Sequence, residues 1–155
     1  MTASLSDAGN RAWRALAVTA HLLEAELERQ TQRDAGMPHI YYVILVALYE
    51  SPDRRLRAGA LAEMARISPS RLSHAVRSMQ ASGWLIRQRA SGDGRGQQII
   101  LTDAGVTAVR RLAPLQQAAV RTPLLGDIDD ARLAELAELL EPLITRLEGR
   151  ERPGG

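Results

Sequence analysis

The sequence predicts an α+β fold, mainly helical with one small β wing, on three observations. Between Leu61 and Gly105 a short helix, a tight turn, a second helix and a hairpin follow one another. That stretch is rich in arginine and nearly free of acids, and leucine-rich stripes at helical spacing lie on either side of it. Helix, turn, helix and hairpin in that order make a winged helix-turn-helix, here expected to be carried by N- and C-terminal dimerisation helices.

The N-terminal helix rests on Trp13, Leu16, Ala20, Leu23 and Leu27, whose alternating spacings of three and four place them on one helical face. The first helix of the reading pair is expected from about Arg57 to Ala65, a few residues before Ser68. Ser68 is a suitable N-cap for the second helix, because its hydroxyl accepts an otherwise unpaired amide hydrogen of the first turn. Pro69 suits the next position, where an amide hydrogen would have had no partner anyway. Leu72, Ala75, Val76 and Met79 then fall on one side, at the spacing of a buried stripe. Gly83 is a natural stop, since glycine takes the left-handed conformation without steric cost.

Trp84–Arg89 and Gln97–Leu101 read as two short strands, and the glycine-rich run from Ser91 to Gly96 as the turn between them. Towards the C-terminus Leu133, Leu136, Leu140, Leu143 and Leu147 repeat the spacing of the first helix, widened by Leu139 and Ile144. The two end helices are expected to pack on each other and on a second copy.

Opposite the apolar stripe of the second helix lie Ser70, His74 and Arg77, flanked by Arg71 and Ser73, and no carboxylate occurs from Ser68 through Ser82. Such hydroxyl, imidazole and guanidinium groups donate hydrogen bonds to phosphates and to the guanine edge in the major groove. Arg87, Arg89 and Arg95 line the hairpin and its tip, and an arginine on a flexible loop suits the narrow, electronegative minor groove. Asp93, two residues before Arg95, is placed to orient it by a charge-assisted pair. With Ser68, these residues are the candidate DNA contacts.

Charge supports a polyanionic partner. From Arg54 to Arg95 nine arginines stand against two acids, Glu63 and Asp93, a formal balance of +7, while the rest of the chain holds eleven arginines and sixteen acids, a balance of −5. The overall charge of +2 hides this polarity, and a basic third on a reading head is the footprint expected for nucleic acid. A membrane surface is not expected, because the basic stretch contains no amphipathic helix with exposed large apolar residues.

Other classes are disfavoured by what the chain lacks. It has no cysteine, hence no disulfide, thiol nucleophile or thiolate metal site. Its histidines, His21, His39 and His74, fall on separate predicted helices, with no i, i+4 pair and no phosphate-cradling glycine loop nearby. Neither catalysis, nor a cofactor, nor a metal is expected. Nothing in the opening residues has a secretory or transit pattern, so a cytoplasmic location is expected. A length of 155 residues suits one domain with a sizeable core.

The run Ser70-Arg71-Leu72-Ser73-His74-Ala75-Val76 resembles the recognition helix of many actinobacterial members of the multiple antibiotic resistance regulator (MarR) family. Asp93-Gly94-Arg95, followed by Leu101-Thr102-Asp103-Ala104-Gly105, is similar to that family's wing pattern of aspartate, any residue and arginine, then leucine-threonine and a glycine. The run from Leu45 to Pro52 resembles the helix before the reading head, and the likeness spans roughly Arg11 to Leu147. Two positions depart from the pattern: Gly94 stands where many relatives have a second arginine, and Pro69 where they often carry arginine or another polar residue.

The resemblance implies one MarR-like domain over residues 1–155, with dimerisation helices at 1–36 and 106–150 around a reading region at 37–105. Leu16, Leu133, Leu136, Leu140, Leu143 and Leu147 are the expected dimer contacts. The function implied is that of a sequence-specific transcriptional regulator, a homodimeric repressor of adjacent genes that binds double-stranded DNA at a palindromic operator. Release by a small phenolic or anionic aromatic effector is also implied, with Trp13, His21, His39, Tyr41 and Tyr42 on the first two helices as its candidate contacts. The alternative is a low-specificity DNA-coating or architectural protein, which the salt dependence and the ratio of specific to non-specific binding would distinguish.

Overall fold

In the computed structural model of the chain, residues 4–89 and 96–150 are described. A long helix, α1 (Asp7–Ala35), comes first. Ser6 Oγ accepts the Gly9 amide hydrogen at 3.1 Å to cap its start, and Gly36, at φ +64°, closes its end with a hydrogen bond to the Gln32 carbonyl. Only Gln30 and Thr31 of α1 are buried. Helix α2 (His39–Glu50) has the opposite character, with Ile44, Leu45 and Leu48 fully buried. Its N-cap position is Pro38, which offers no side-chain acceptor; Glu28 of α1 supplies one, its Oε2 accepting the His39 amide hydrogen at 2.9 Å.

A short turn over Pro52–Arg54, in which Asp53 and Arg54 both take positive φ, leads into β1 (Arg55–Arg57). Then follow α3 (Ala58–Met64), α4 (Pro69–Ala81), β2 (Leu85–Arg89) and β3 (Gln97–Leu101). The strands form an antiparallel sheet in the order β1-β3-β2, with Leu85 opposite Leu101, Arg87 opposite Ile99 and Leu56 also opposite Ile99. Helices α5 (Asp103–Val120) and α6 (Asp130–Arg150) complete the order.

The predicted helix pair and hairpin are present, with two adjustments. The sequence reading starts the first helix of the pair at Arg57 and contains no third strand, whereas Arg57 ends β1 and α3 starts at Ala58. Three residues carry too little pattern to announce an edge strand; pairing with β3 creates it. Trp84 lies just before β2, its amide donating to the Met79 carbonyl at 3.1 Å and its carbonyl accepting from Thr102 N at 3.0 Å.

Leu72, Ala75, Val76 and Met79 of α4 are buried, as their spacing predicts. They meet Ile44, Leu45 and Leu48 of α2, Leu61 of α3, Leu85, Ile99 and Leu101 of the sheet, and Val106, Val109 and Leu112 of α5 in one core. Each large aliphatic side chain so buried contributes about 1.5–3 kcal/mol. The first half of α5, assigned by the sequence reading to a dimerisation arm, therefore shares the core with α4.

The Leu101–Gly105 motif has a physical basis here. Thr102 Oγ1 accepts the Gly105 amide hydrogen at 3.1 Å, capping α5, and lies within hydrogen-bonding distance of the Gly83 and Trp84 carbonyls, at 2.7 and 3.0 Å. One threonine thus joins the end of the sheet, the start of α5 and the turn after α4. The chain divides into two compact units, residues 1–116 and 117–155. Helix α6 belongs to the second, and none of its described residues is buried. Among the described residues no helix is long and apolar enough to cross a membrane.

Candidate nucleic-acid interface

The turn between α3 and α4 sets how α4 is presented. Arg66 takes φ +53°, a left-handed conformation that costs a side chain roughly 1–2 kcal/mol, and the Ile67 amide reaches back to the Ala62 carbonyl at 3.1 Å. Ser68 Oγ then accepts the Arg71 amide hydrogen at 3.3 Å and lies 3.1 Å from Ser70 Oγ. Pro69 at the first helical position has no amide hydrogen in need of a partner. Gly83 adopts φ +76° after the last turn, the stop expected from the sequence.

With α4's apolar stripe in the core, Ser70, Arg71, His74 and Arg77 are left exposed together, Ser73 half-buried at their edge. Arg89, at the outer end of β2, is exposed too. Among the described residues Arg71, Arg77 and Arg89 have no carboxylate partner that would neutralise their charge. The arrangement offers hydroxyl, imidazole and guanidinium donors on one helical face beside a basic strand. Asp93 and Arg95, the candidate residues of the wing tip, lie outside the described residues.

Arg87 departs from the group in which the sequence reading places it. Side chains alternate along β2, so Leu85 and Arg87 turn to the inner face, while Ile86 and Gln88 are exposed. Arg87 is half-buried; its Nη2 donates to the main-chain carbonyl of Ser73 in α4 at 2.9 Å, and its Nε is buried with no hydrogen-bond partner among the described residues. The side chain is committed to the underside of the helix, where Leu72, Val76 and Ile99 line a small cleft with it.

The candidate effector contacts are not brought together as one set. His39 and Tyr42 pair, their ring centres 6.0 Å apart. Thr31 of α1 touches His39, but Trp13 stands eighteen residues before Thr31 on the same helix, about 27 Å along its axis, and His21 about 15 Å. Both are exposed. A single cleft within one chain therefore does not hold Trp13 and His21 together with His39 and Tyr42. Tyr41, with Ile40, instead flanks a shallow open cleft against Ser70, Arg71 and His74 of α4.

Sequence reasoning misses a buried polar cluster. Gln116 Nε2 donates to Gln30 Oε1 and, at 2.8 Å, to Thr31 Oγ1. Thr31 gives its own hydrogen to the Leu27 carbonyl at 2.7 Å and lies 3.0 Å from His39 Nδ1. With that hydrogen spent on Leu27, Nδ1 of His39 is the donor, which fixes the ring's tautomer. Glutamine and threonine on leucine-rich helices form no motif, and the three come together only through packing.

Burial holds the His39 pKa below its ordinary value of 6.5, against the opposing pull of Glu28 and Glu24. A histidine with a depressed folded pKa lends stability that is full above pH 6.5 and is lost as the pH falls through the folded value, because the unfolded chain takes up the proton first. Asp34, lowered by its hydrogen bonds from Gln30 and Arg33, acts in the same sense, but only below pH 3.8. Urea unfolding from neutral pH to about pH 5 is expected to show a falling midpoint that His39→Gln flattens. The same slope in both proteins would assign it to other groups.

A family model described as "MarR family" matches residues 35–96. No curated protein matched the chain. Among solved structures, the chain is similar to Sco3205, a MarR family transcriptional regulator from Streptomyces coelicolor in complex with DNA, at 43% identity and a TM-score of 0.86, over 93% of this chain and 90% of that one. It is similar to AbsC, another MarR family transcriptional regulator from Streptomyces coelicolor, at 34% identity and a TM-score of 0.87, over 96% and 99%. The transcriptional regulator BldR from Sulfolobus solfataricus shares the fold at 21% identity, with a TM-score of 0.79 over 90% and 96%.

Proposed function

Because the chain belongs to the MarR family of transcriptional regulators, and is thus a DNA-binding protein and not an enzyme, we propose that it is a homodimeric repressor of adjacent genes. It reads a palindromic operator with one α4 helix per subunit in successive major grooves. The observation that carries this reading is the exposed Ser70-Arg71-His74-Arg77 face, free of carboxylates and presented on a capped helix whose apolar stripe is buried. Ser68 and Ser73 border that face, and Arg89 and the wing tip carrying Asp93 and Arg95 extend it towards the minor groove.

That the related Sco3205 was solved with DNA supports the assignment. The site of action is the cytoplasm, where the operator is. A small phenolic or anionic aromatic effector releases the operator from contacts that include His39 and Tyr42. To do so it must bind the DNA-incompetent arrangement more tightly than the competent one, since equal affinity for both shifts nothing.

Fluorescence anisotropy on the gene's own upstream region and on scrambled DNA of equal length, at two salt concentrations, tests the reading. About a thousandfold preference or more for the former marks a sequence-specific regulator. Equal, steeply salt-dependent binding to both would instead mark a DNA-coating protein. Arg71→Ala and His74→Ala are each expected to cost about 1–3 kcal/mol on the preferred sequence and to relax its base preference. If both variants bound like the parent, α4 would not be the reading helix.

A further inference from the structure

We infer that Arg87 is the positioning residue of the reading helix: it holds the rotational setting of α4 from beneath and does not itself contact DNA. The inference rests on α4 being the helix that reads bases. Its geometric basis is the hydrogen bond from Arg87 Nη2 to the Ser73 carbonyl, which crosses from the wing to the middle of the helix.

Around the helix, Ser73 lies between the exposed Ser70 and Arg77 on one side and the buried Leu72 and Val76 on the other. A hydrogen bond to its carbonyl therefore bears on rotation about the helix axis, the movement that decides which side chains point into a groove. The apolar stripe alone is a poor brake on this movement. Ala75 is small, Met79 is flexible, and the underside of the helix near Leu72 and Val76 borders a cleft lined also by Ala58 and Gly59. Arg87 spans that weak place with a charged donor, and charge-assisted hydrogen bonds are roughly twice as strong as neutral ones.

Two further facts separate Arg87 from its neighbours on the wing. It stands opposite Ile99, which is 1% exposed, so its stem runs along the core and not over the surface. Its Nε is buried without a partner among the described residues, a cost that a free surface arginine would avoid by turning outward. Arg89, two residues on, is exposed and remains available for phosphate. The hairpin thus divides its arginines between holding the helix and meeting DNA.

The division predicts a signature that differs from that of a lost phosphate contact. Removing a phosphate contact makes the slope of log K against log salt shallower by about 0.9 and weakens all sequences alike. Releasing the helix leaves that slope in place and erodes discrimination.

The test compares Arg87→Met, which keeps the apolar stem, Arg87→Lys, which keeps the charge, and His74→Ala with the parent. The probes are a duplex selected by the parent protein from a randomised library and a scrambled duplex, titrated over a range of salt. Arg87→Met is expected to lower the ratio of selected to scrambled affinity by about tenfold or more with an unchanged slope, and Arg87→Lys to restore part of the ratio. A shallower slope with the ratio preserved would make Arg87 a phosphate contact and overturn the inference. A lower melting temperature with ratio and slope both unchanged would reduce it to a structural tie and overturn it equally. His74→Ala separates this from the underlying reading. If it lowers the ratio while Arg87→Met does not, only the role of Arg87 falls; if it leaves the ratio unchanged, α4 is not the reading helix and both fall.

Discussion

Replacing Gly105 with alanine is expected to destabilise the protein by about 3 kcal/mol, the upper end of what overpacking a core costs. A Cβ built at Gly105 would lie 2.4 Å from the Trp84 carbonyl oxygen and 2.5 Å from Leu101 Cδ1, with Leu101 Cγ at 3.1 Å. Neither neighbour is free to give way. The Trp84 carbonyl is main chain and accepts from Thr102 N at 3.0 Å, while Leu101 is buried and paired across the sheet with Leu85. Gly105 is not needed for an unusual backbone angle, since it is not among the residues at positive φ; it is needed because α5 starts against the turn that precedes the wing.

Elsewhere in a helix the same change would stabilise by roughly 0.5–1 kcal/mol, so the sign alone is informative. Thermal unfolding is the measurement, with a fall of about 10 °C expected for a chain of this size. An unchanged or raised midpoint would mean that the Trp84 carbonyl and Leu101 move aside cheaply. Where the variant stays folded, operator affinity should also fall, because the displaced turn joins the end of α4 to β2.

What was legible in the sequence was local. The buried stripe of α4, its Ser68-Pro69 start and its Gly83 stop are each set by residues within a turn or two of one another, so spacing and side-chain chemistry suffice to read them. The exposed reading face follows by subtraction once the buried stripe is known.

What was not legible depends on residues distant in the chain. Glu28 caps α2 across eleven positions, Arg87 reaches Ser73 across fourteen, and Gln116 meets Gln30 across eighty-six. An arginine on a predicted wing reads as exposed until the pleat of β2 shows which face it is on. Strand β1 was missed for a related reason, since Arg55–Arg57 becomes a strand only by pairing with β3. The effector candidates share a residue type and nothing more, and the length of α1 separates them. The position of Gly105 was visible as part of a motif, but the carbonyl that demands a glycine there belongs to Trp84, twenty-one residues earlier.

Leu136→Arg, and separately Leu140→Glu, is expected to convert the proposed homodimer into monomers and to weaken operator binding by about a hundredfold to ten-thousandfold, the loss that follows when two linked half-site contacts become independent. Helix α6 runs for 21 residues without one buried residue among those described. Leu136 is 40% exposed, Ile144 44%, Leu147 61% and Leu139 70%. On α1, Leu16, Val18 and Leu22 are exposed as well. An apolar stripe of this length left in water would be an aggregation liability, and a helix without a packing partner has only its intrinsic propensity, which leaves it marginal in water. A second copy covering the stripe of α6 would resolve both difficulties.

A charge at Leu136 or Leu140 would then be buried in the interface without a partner, which costs several kcal/mol per subunit. Light scattering gives the mass and anisotropy the affinity, and both should change together. A dimer of unchanged mass would place the interface away from α6. Monomers that still bound the operator at parental affinity would show that a single α4 helix, and not a pair, supplies the specificity.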